Sequence, residues 1–80
     1  MKRKEAIIRY LALVGRADRH LIASHIIASL SSVSFKLSEL KHSGLVHNIK
    51  WSDGTRVWIL TKKGYRRYDY YEQRDKKQEV

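Results

Sequence analysis

The sequence predicts an α+β fold in which a three-helix core is followed by a two-stranded β-hairpin and a C-terminal helix. Three observations carry this expectation. Apolar residues recur at helical spacing from Lys2 to Ser43, in blocks punctuated by Gly and Ser. From Val46 the period changes to two on either side of Asp53-Gly54, a strong hairpin signal. After Leu60 the helical period returns with Thr61 as a candidate cap. The chain has 80 residues, enough for one domain, expected over 1–75 with a frayed basic tail over 76–80.

The first helix is expected over Lys2 to Val14, with Ile7, Tyr10, Leu11 and Val14 as its packing face and Gly15 as its stop. Arg16-Ala17 can pair as a short edge strand. Asp18 is a plausible N-cap for a second helix, Arg19 to about Ile26, with Leu21, Ile22 and Ile26 inward. The turn over Ile27 to Leu30 contains neither Gly nor Pro, which leaves its geometry open. A third helix, about Ser31 to Ser43, starts in the cluster Ser29, Ser31, Ser32, whose hydroxyls suit capping. Its apolar stripe is Val33, Leu37 and Leu40, and Gly44 with Leu45 should close its end. Val46 to Leu60 alternates as a hairpin, in which Trp51 and Trp58 serve cross-strand and core packing. In the last helix Tyr65 and Tyr68, with Tyr70 or Tyr71, can supply a packing face.

Composition narrows the function. A chain this short buries only about 60% of its unfolded surface, which leaves little room for a deep active site. Seventeen Lys and Arg against eight Asp and Glu give a net charge of +9, favouring a polyanionic partner. There is no Cys, so no disulfide framework or thiolate metal site is expected. His20 and His25 are off the i, i+4 spacing of helical ligand pairs, and His42 and His47 straddle Gly44, so no metal and no cofactor is expected. No nucleophile–base set, phosphate loop or paired acid has a convincing context, so the chain is not expected to be an enzyme. Glu5 and Arg9 interrupt the apolar stretch after Lys2-Arg3-Lys4, and no run is long enough for a membrane span, so a cytoplasmic protein is expected.

The third helix offers a physical reason for nucleic-acid binding. The major groove of B-DNA is about 12 Å wide and admits one helix. Such a helix needs one stripe anchored to the core and an opposite face that is polar and free. With Val33, Leu37 and Leu40 as anchor, the far face carries Ser31, Phe35, Ser38 and His42, flanked by Ser32, Ser34 and Glu39. Small hydroxyl residues allow close approach and can bond base edges or phosphates. Phe35 either meets thymine methyls or packs against the preceding helix or turn. Glu39 either accepts from a cytosine amine or is simply solvated. Lys36 and Lys41 can extend to phosphates. At the hairpin tip Lys50 and Arg56 bracket Asp53-Gly54 and can meet a phosphate or the minor groove, although charges there also guard an exposed strand against aggregation.

The sequence resembles the winged helix-turn-helix family, in particular MarR-like, ArsR-like and PadR-like regulators. The pieces that match are Ile22-Ala23, Ser31-Ser32-Val33-Ser34-Phe35-Lys36-Leu37, Leu40-Lys41-His42-Ser43-Gly44-Leu45-Val46 and, after the hairpin, Leu60-Thr61-Lys62-Lys63-Gly64. The likeness spans roughly Ala6 to Arg66. It implies a transcriptional regulator of double-stranded DNA, with the helix in the major groove, the hairpin as wing, and Arg16, Arg19 and His20 on the backbone. Larger members form dimers, and an excess of tyrosines at Tyr65, Tyr68, Tyr70 and Tyr71 suggests a homodimer contact, against the alternative of intramolecular packing. No small-molecule effector is evident. The composition also resembles minimal regulators of archaeal viruses and plasmids. Binders of left-handed DNA in this fold place Asn and Tyr on the helix and a Pro pair in the wing; with Ser34, Ser38 and no Pro, that variant is rejected. A protein-interaction module and an RNA-binding protein remain alternatives.

Overall fold

The computed structural model describes residues 2–78. Helices α1 (Arg3–Val14), α2 (Arg19–Ile26) and α3 (Leu30–His42) are followed by strands β1 (Val46–Lys50) and β2 (Arg56–Leu60) and by helix α4 (Lys62–Gln78). Of the tail expected at 76–80, residues 76–78 continue α4, and residues 79 and 80 lie outside the described residues.

Helix α1 ends at Gly15, whose φ of 85° few other residues tolerate and whose N–H donates to Leu11 O at 2.8 Å. Its buried stripe is Ile7, Ile8 and Leu11, all at 0% exposure. Tyr10 only packs at the margin and Val14 is exposed, so the expected face was set about one residue off. The cause is α4, which covers the Glu5 and Ile8 side of α1. Asp18 caps α2 as expected, its Oδ1 accepting from Leu21 N at 2.9 Å. Leu21 itself is exposed, contrary to expectation, because the inward stripe is Ile22, Ala23 and Ile26.

The turn after α2 is made by Ile27, in the left-handed region with φ 55°. Helices α2 and α3 then meet at a bend of 110°. Ser29 caps α3, its Oγ accepting from Ser32 N at 3.2 Å. Val33, Leu37 and Leu40 are the buried anchor, as the periodicity predicts. At the other end Gly44 takes φ 76°, and Leu45 N donates back to Leu40 O at 2.9 Å while its side chain enters the core.

The strands pair antiparallel in the register Val46↔Leu60, Asn48↔Trp58, Lys50↔Arg56. Ala17 adds a bridge to Trp58, with bonds of 3.2 and 2.8 Å in the two directions, so the Arg16-Ala17 link does act as an edge strand. Beyond Lys50 the loop Trp51–Thr55 is closed by Trp51 N to Thr55 O at 2.7 Å and by Gly54 at φ 90°. Asp53 accepts from both the amide and the hydroxyl of Thr55, and these bonds hold its carboxyl below the usual aspartate pKa.

Thr61 joins hairpin to α4. Its hydroxyl donates to Gly44 O at 2.6 Å and accepts from Gly64 N at 3.0 Å. Between α1 and the far end of α4, Arg9 bonds Glu5 (3.0 Å), Glu72 (2.9 Å) and Asp75 (2.6 Å), and Arg74 bonds Glu5 (2.9 Å). Glu5 is buried at 8% exposure. Desolvation pushes its carboxyl up, but the hydrogen bonds and charges of Arg74 and Arg9 outweigh this and leave its pKa below the ordinary value. Tyr71 lies beneath these guanidiniums, 5.6 Å from Arg9 and 5.2 Å from Arg74.

Candidate nucleic-acid interface

The outward face of α3 is uncovered. Phe35 is 64% exposed and therefore does not pack against the preceding helix or turn. Ser31, Ser38 and His42 share its ridge and are exposed, and Lys41 is exposed in the last turn. Successive residues of a helix point about 100° apart. Ser34, Phe35 and Lys36 therefore mark three directions: one flank, the ridge and the other flank.

The Ser34 flank faces the wing. Ser34 lines a cleft of about 460 Å³ together with Arg19 and His20 from α2 and Asn48, Arg56 and Trp58 from the hairpin. This cleft unites three segments that the sequence separates. Strand alternation puts Asn48, Trp58, Lys50 and Arg56 on one face of the hairpin, above the core pair Val46 and Leu60. Lys50 and Arg56 stand directly opposite one another, an arrangement of like charges that disfavours the hairpin unless an anion relieves it. Arg56 Nη1 is steered by Asn48 Oδ1 at 3.0 Å. Arg16 is held by Trp51, its guanidinium 4.3 Å from the ring centroid. Trp51 was expected to serve hairpin packing; it is 41% exposed and instead positions an arginine beside the wing tip.

The Lys36 flank faces the start of α1. Arg3 Nη1 donates to Ser32 Oγ, and Lys4 Nζ sits 3.2 Å from Glu39 Oε2. Lys36 Nζ is 3.5 Å from Glu39 Oε1, an ion pair without an aligned hydrogen bond. The bond from Lys4 is the main cause of a lowered Glu39 pKa. In the free chain the Glu39 carboxylate is therefore engaged by two lysines rather than simply solvated. Three adjacent cations, Lys2, Arg3 and Lys4, are the sequence signal for this flank.

The four tyrosines divide. Tyr71 is a core residue at 9% exposure and Tyr68 is partly buried against the core. Tyr65 and Tyr70 are exposed at 45% and 58%. Among the described residues no group of three or more His, Asp or Glu is placed to hold a metal ion, and no single helix is long and apolar enough to cross a membrane.

No protein-family model matches the sequence, and neither does any curated protein. Solved structures do match. A MarR family transcriptional regulator from Silicibacter pomeroyi superposes with a TM-score of 0.90 at 18% identity, over 95% of this chain and 52% of that one. A variant of MepR from S. aureus gives 0.94 at 17% identity, over 99% and 61%. The PcaV transcriptional regulator from Streptomyces coelicolor gives 0.87 at 19% identity, over 96% and 58%. The chain thus spans between half and two thirds of the length of these structures. With four helices, one antiparallel hairpin and this superposition, the chain has the winged-helix fold of MarR-family transcriptional regulators.

Proposed function

We propose that this protein is a sequence-specific transcriptional regulator that binds double-stranded DNA and is not an enzyme. Helix α3 enters the major groove with Ser31, Ser34, Phe35, Ser38 and His42 toward the bases, while Ser32 and Lys41 reach sugars and phosphates. Lys50 and Arg56 in the wing, with Arg16, Arg19 and His20, meet the backbone or the adjacent minor groove. The observation that carries this reading is the uncovered ridge of α3, with an apolar residue at its centre and a cationic wing beside it. Cation supply supports it too. Arg9 and Arg74 are committed to carboxylates on α1 and α4, whereas Arg16, Arg19, Lys50 and Arg56 make no ion pair among the described residues.

A homodimer over a pseudo-palindrome fits the exposed Tyr65 and Tyr70 on α4 and the exposed Leu13 on α1. The protein then acts wherever its operator lies, in the cytoplasm. Selection of bound sites from a random duplex pool tests the function, because a regulator yields a motif and a dimer yields a symmetric one. Affinity for the selected duplex should fall with salt at a slope implying on the order of 4–8 phosphates per dimer. Replacing Lys50 and Arg56 with Ala should lower that slope by about 2 and weaken all sequences alike. Recovery of no motif and a flat salt dependence would reject the reading.

A further inference from the structure

The Lys36 side of α3, where the sequence puts one lysine within reach of a phosphate, carries a second cationic surface away from the wing. Lys2, Arg3, Lys4 and Lys36 together line a shallow hollow, with Glu39 beside it paired to Lys4 and Lys36. Two elements distant in sequence build it. The N-cap Lys2 and the first turn of α1 supply three cations, and α3 supplies the fourth, fixed by the Arg3–Ser32 bond and by Glu39 between Lys4 and Lys36. Glu39 neutralises one of the four charges, which leaves a local excess of three. Four cations converging at a surface repel one another, and an anion bound between them would relieve that repulsion.

Position says which anion. A helix with its side chains is about 10–12 Å across, close to the width of the major groove, so both its flanks face a groove wall. The two walls are the phosphate backbones of opposite strands. Ser34 and Lys36 lie about 200° apart around α3, with Phe35 between them. If the wing side meets one strand, the Lys36 side therefore meets the other.

We propose that Lys2, Arg3, Lys4 and Lys36 form a second phosphate-binding flank that grips the strand opposite the one held by the wing. This rests on the duplex-DNA reading and adds a partner strand to it. Recognition then becomes a clamp in which the base-reading ridge is centred between two sets of cations.

The test compares Lys2→Ala/Arg3→Ala with Lys50→Ala/Arg56→Ala, each titrated by fluorescence anisotropy against the selected duplex across a salt series. Each pair should lower the slope of log K against log salt by about 2, and the four changes together by about 4. Between 50 and 200 mM salt the deficit of the Lys2/Arg3 pair should shrink by about tenfold. Hydroxyl-radical footprints should lose protection on one strand for the wing pair and on the other for the Lys2/Arg3 pair. Thermal melts verify folding, and Arg3→Lys, which keeps the charge, should retain the parent slope. Parental affinity and slope in Lys2→Ala/Arg3→Ala would overturn the second flank, and so would loss of protection on the wing's own strand. Absence of salt-dependent duplex binding by the parent chain would instead remove the DNA reading itself, so the two failures are distinguishable.

Discussion

Gly64 sits in the first turn of α4, buried, where an alanine should ordinarily help. Exchanging Gly for Ala in a helix interior gains about 1 kcal/mol. Here the gain is overridden. A Cβ built on Gly64 falls 2.2 Å from the Leu45 carbonyl oxygen and 3.1 Å from Leu60 Cδ2. Relaxed contacts lie near about 3.5 Å, so α4 must retreat from the α3–β1 junction by roughly 1 Å. The obstacle is backbone rather than a flexible side chain, which places the overpacking cost at the upper end of about 1–3 kcal/mol. Retreat also strains the bonds that anchor the junction, Thr61 N to Leu45 O at 3.1 Å and Thr61 Oγ1 to Gly44 O at 2.6 Å. With these two bonds weakened by about 0.5 kcal/mol each, Gly64→Ala should destabilise the fold by about 3 kcal/mol net. For a domain this small that lowers Tm by roughly 10–20 °C. Far-UV circular dichroism during thermal and urea unfolding measures it, with exposed Gln73→Ala on the same helix as a control expected within about 0.5 kcal/mol of the parent. Amide exchange at Thr61 should quicken in the variant. A Gly64→Ala protein as stable as the parent, or more so, would refute the close-approach reasoning.

Three further outcomes are expected. Ile27 holds a left-handed conformation with its side chain 88% exposed, so Ile27→Gly should stabilise by about 0.5–1 kcal/mol in urea unfolding; destabilisation would show that the turn is unstrained. Glu5 and Asp75 are held below their ordinary pKa values in the fold, each against desolvation, by Arg74 and Arg9. Their stabilisation is therefore complete above the unfolded carboxylate range near about 4 and is lost as pH falls through the folded values. Glu5→Gln should lower stability at neutral pH and flatten the acid limb, and an unaltered acid profile would exclude the network as its source. Phe35→Ala should leave Tm almost unmoved, because the ring is exposed, yet change base preference at one or two positions of the selected motif. An unchanged motif would place the ring outside the groove.

Much of this architecture is legible locally. Asp18, Ser29, Thr61 and the glycines at 15, 44 and 54 act on atoms a few residues away, so their types announce the caps and turns they form. The anchor of α3 was readable because Val33, Leu37 and Leu40 repeat at a fixed period against a polar background. Local pattern is ambiguous where two faces of a helix are both apolar. Leu21 and Ile22 are alike to a periodicity argument, and only the placement of neighbouring helices exposes one and buries the other. Which of Tyr70 and Tyr71 packs inward is open for the same reason: nothing beside Tyr71 in sequence announces that Arg9 and Arg74 close over its ring.

Sequence alone determined the order of elements, the caps at Asp18 and Gly44, the place of the hairpin and which side of α3 is apolar, because each depends on contacts between residues close in the chain. Tertiary structure decided what stands beside that helix. It brought Arg3 to Ser32 and Lys4 to Glu39 across 29 and 35 residues, and Arg9 to Asp75 across 66. It also left Gly64 against a carbonyl of Leu45 with no space for a methyl group. Such pairings follow from how rigid elements pack around one core, and no local pattern encodes the angle at which two helices meet.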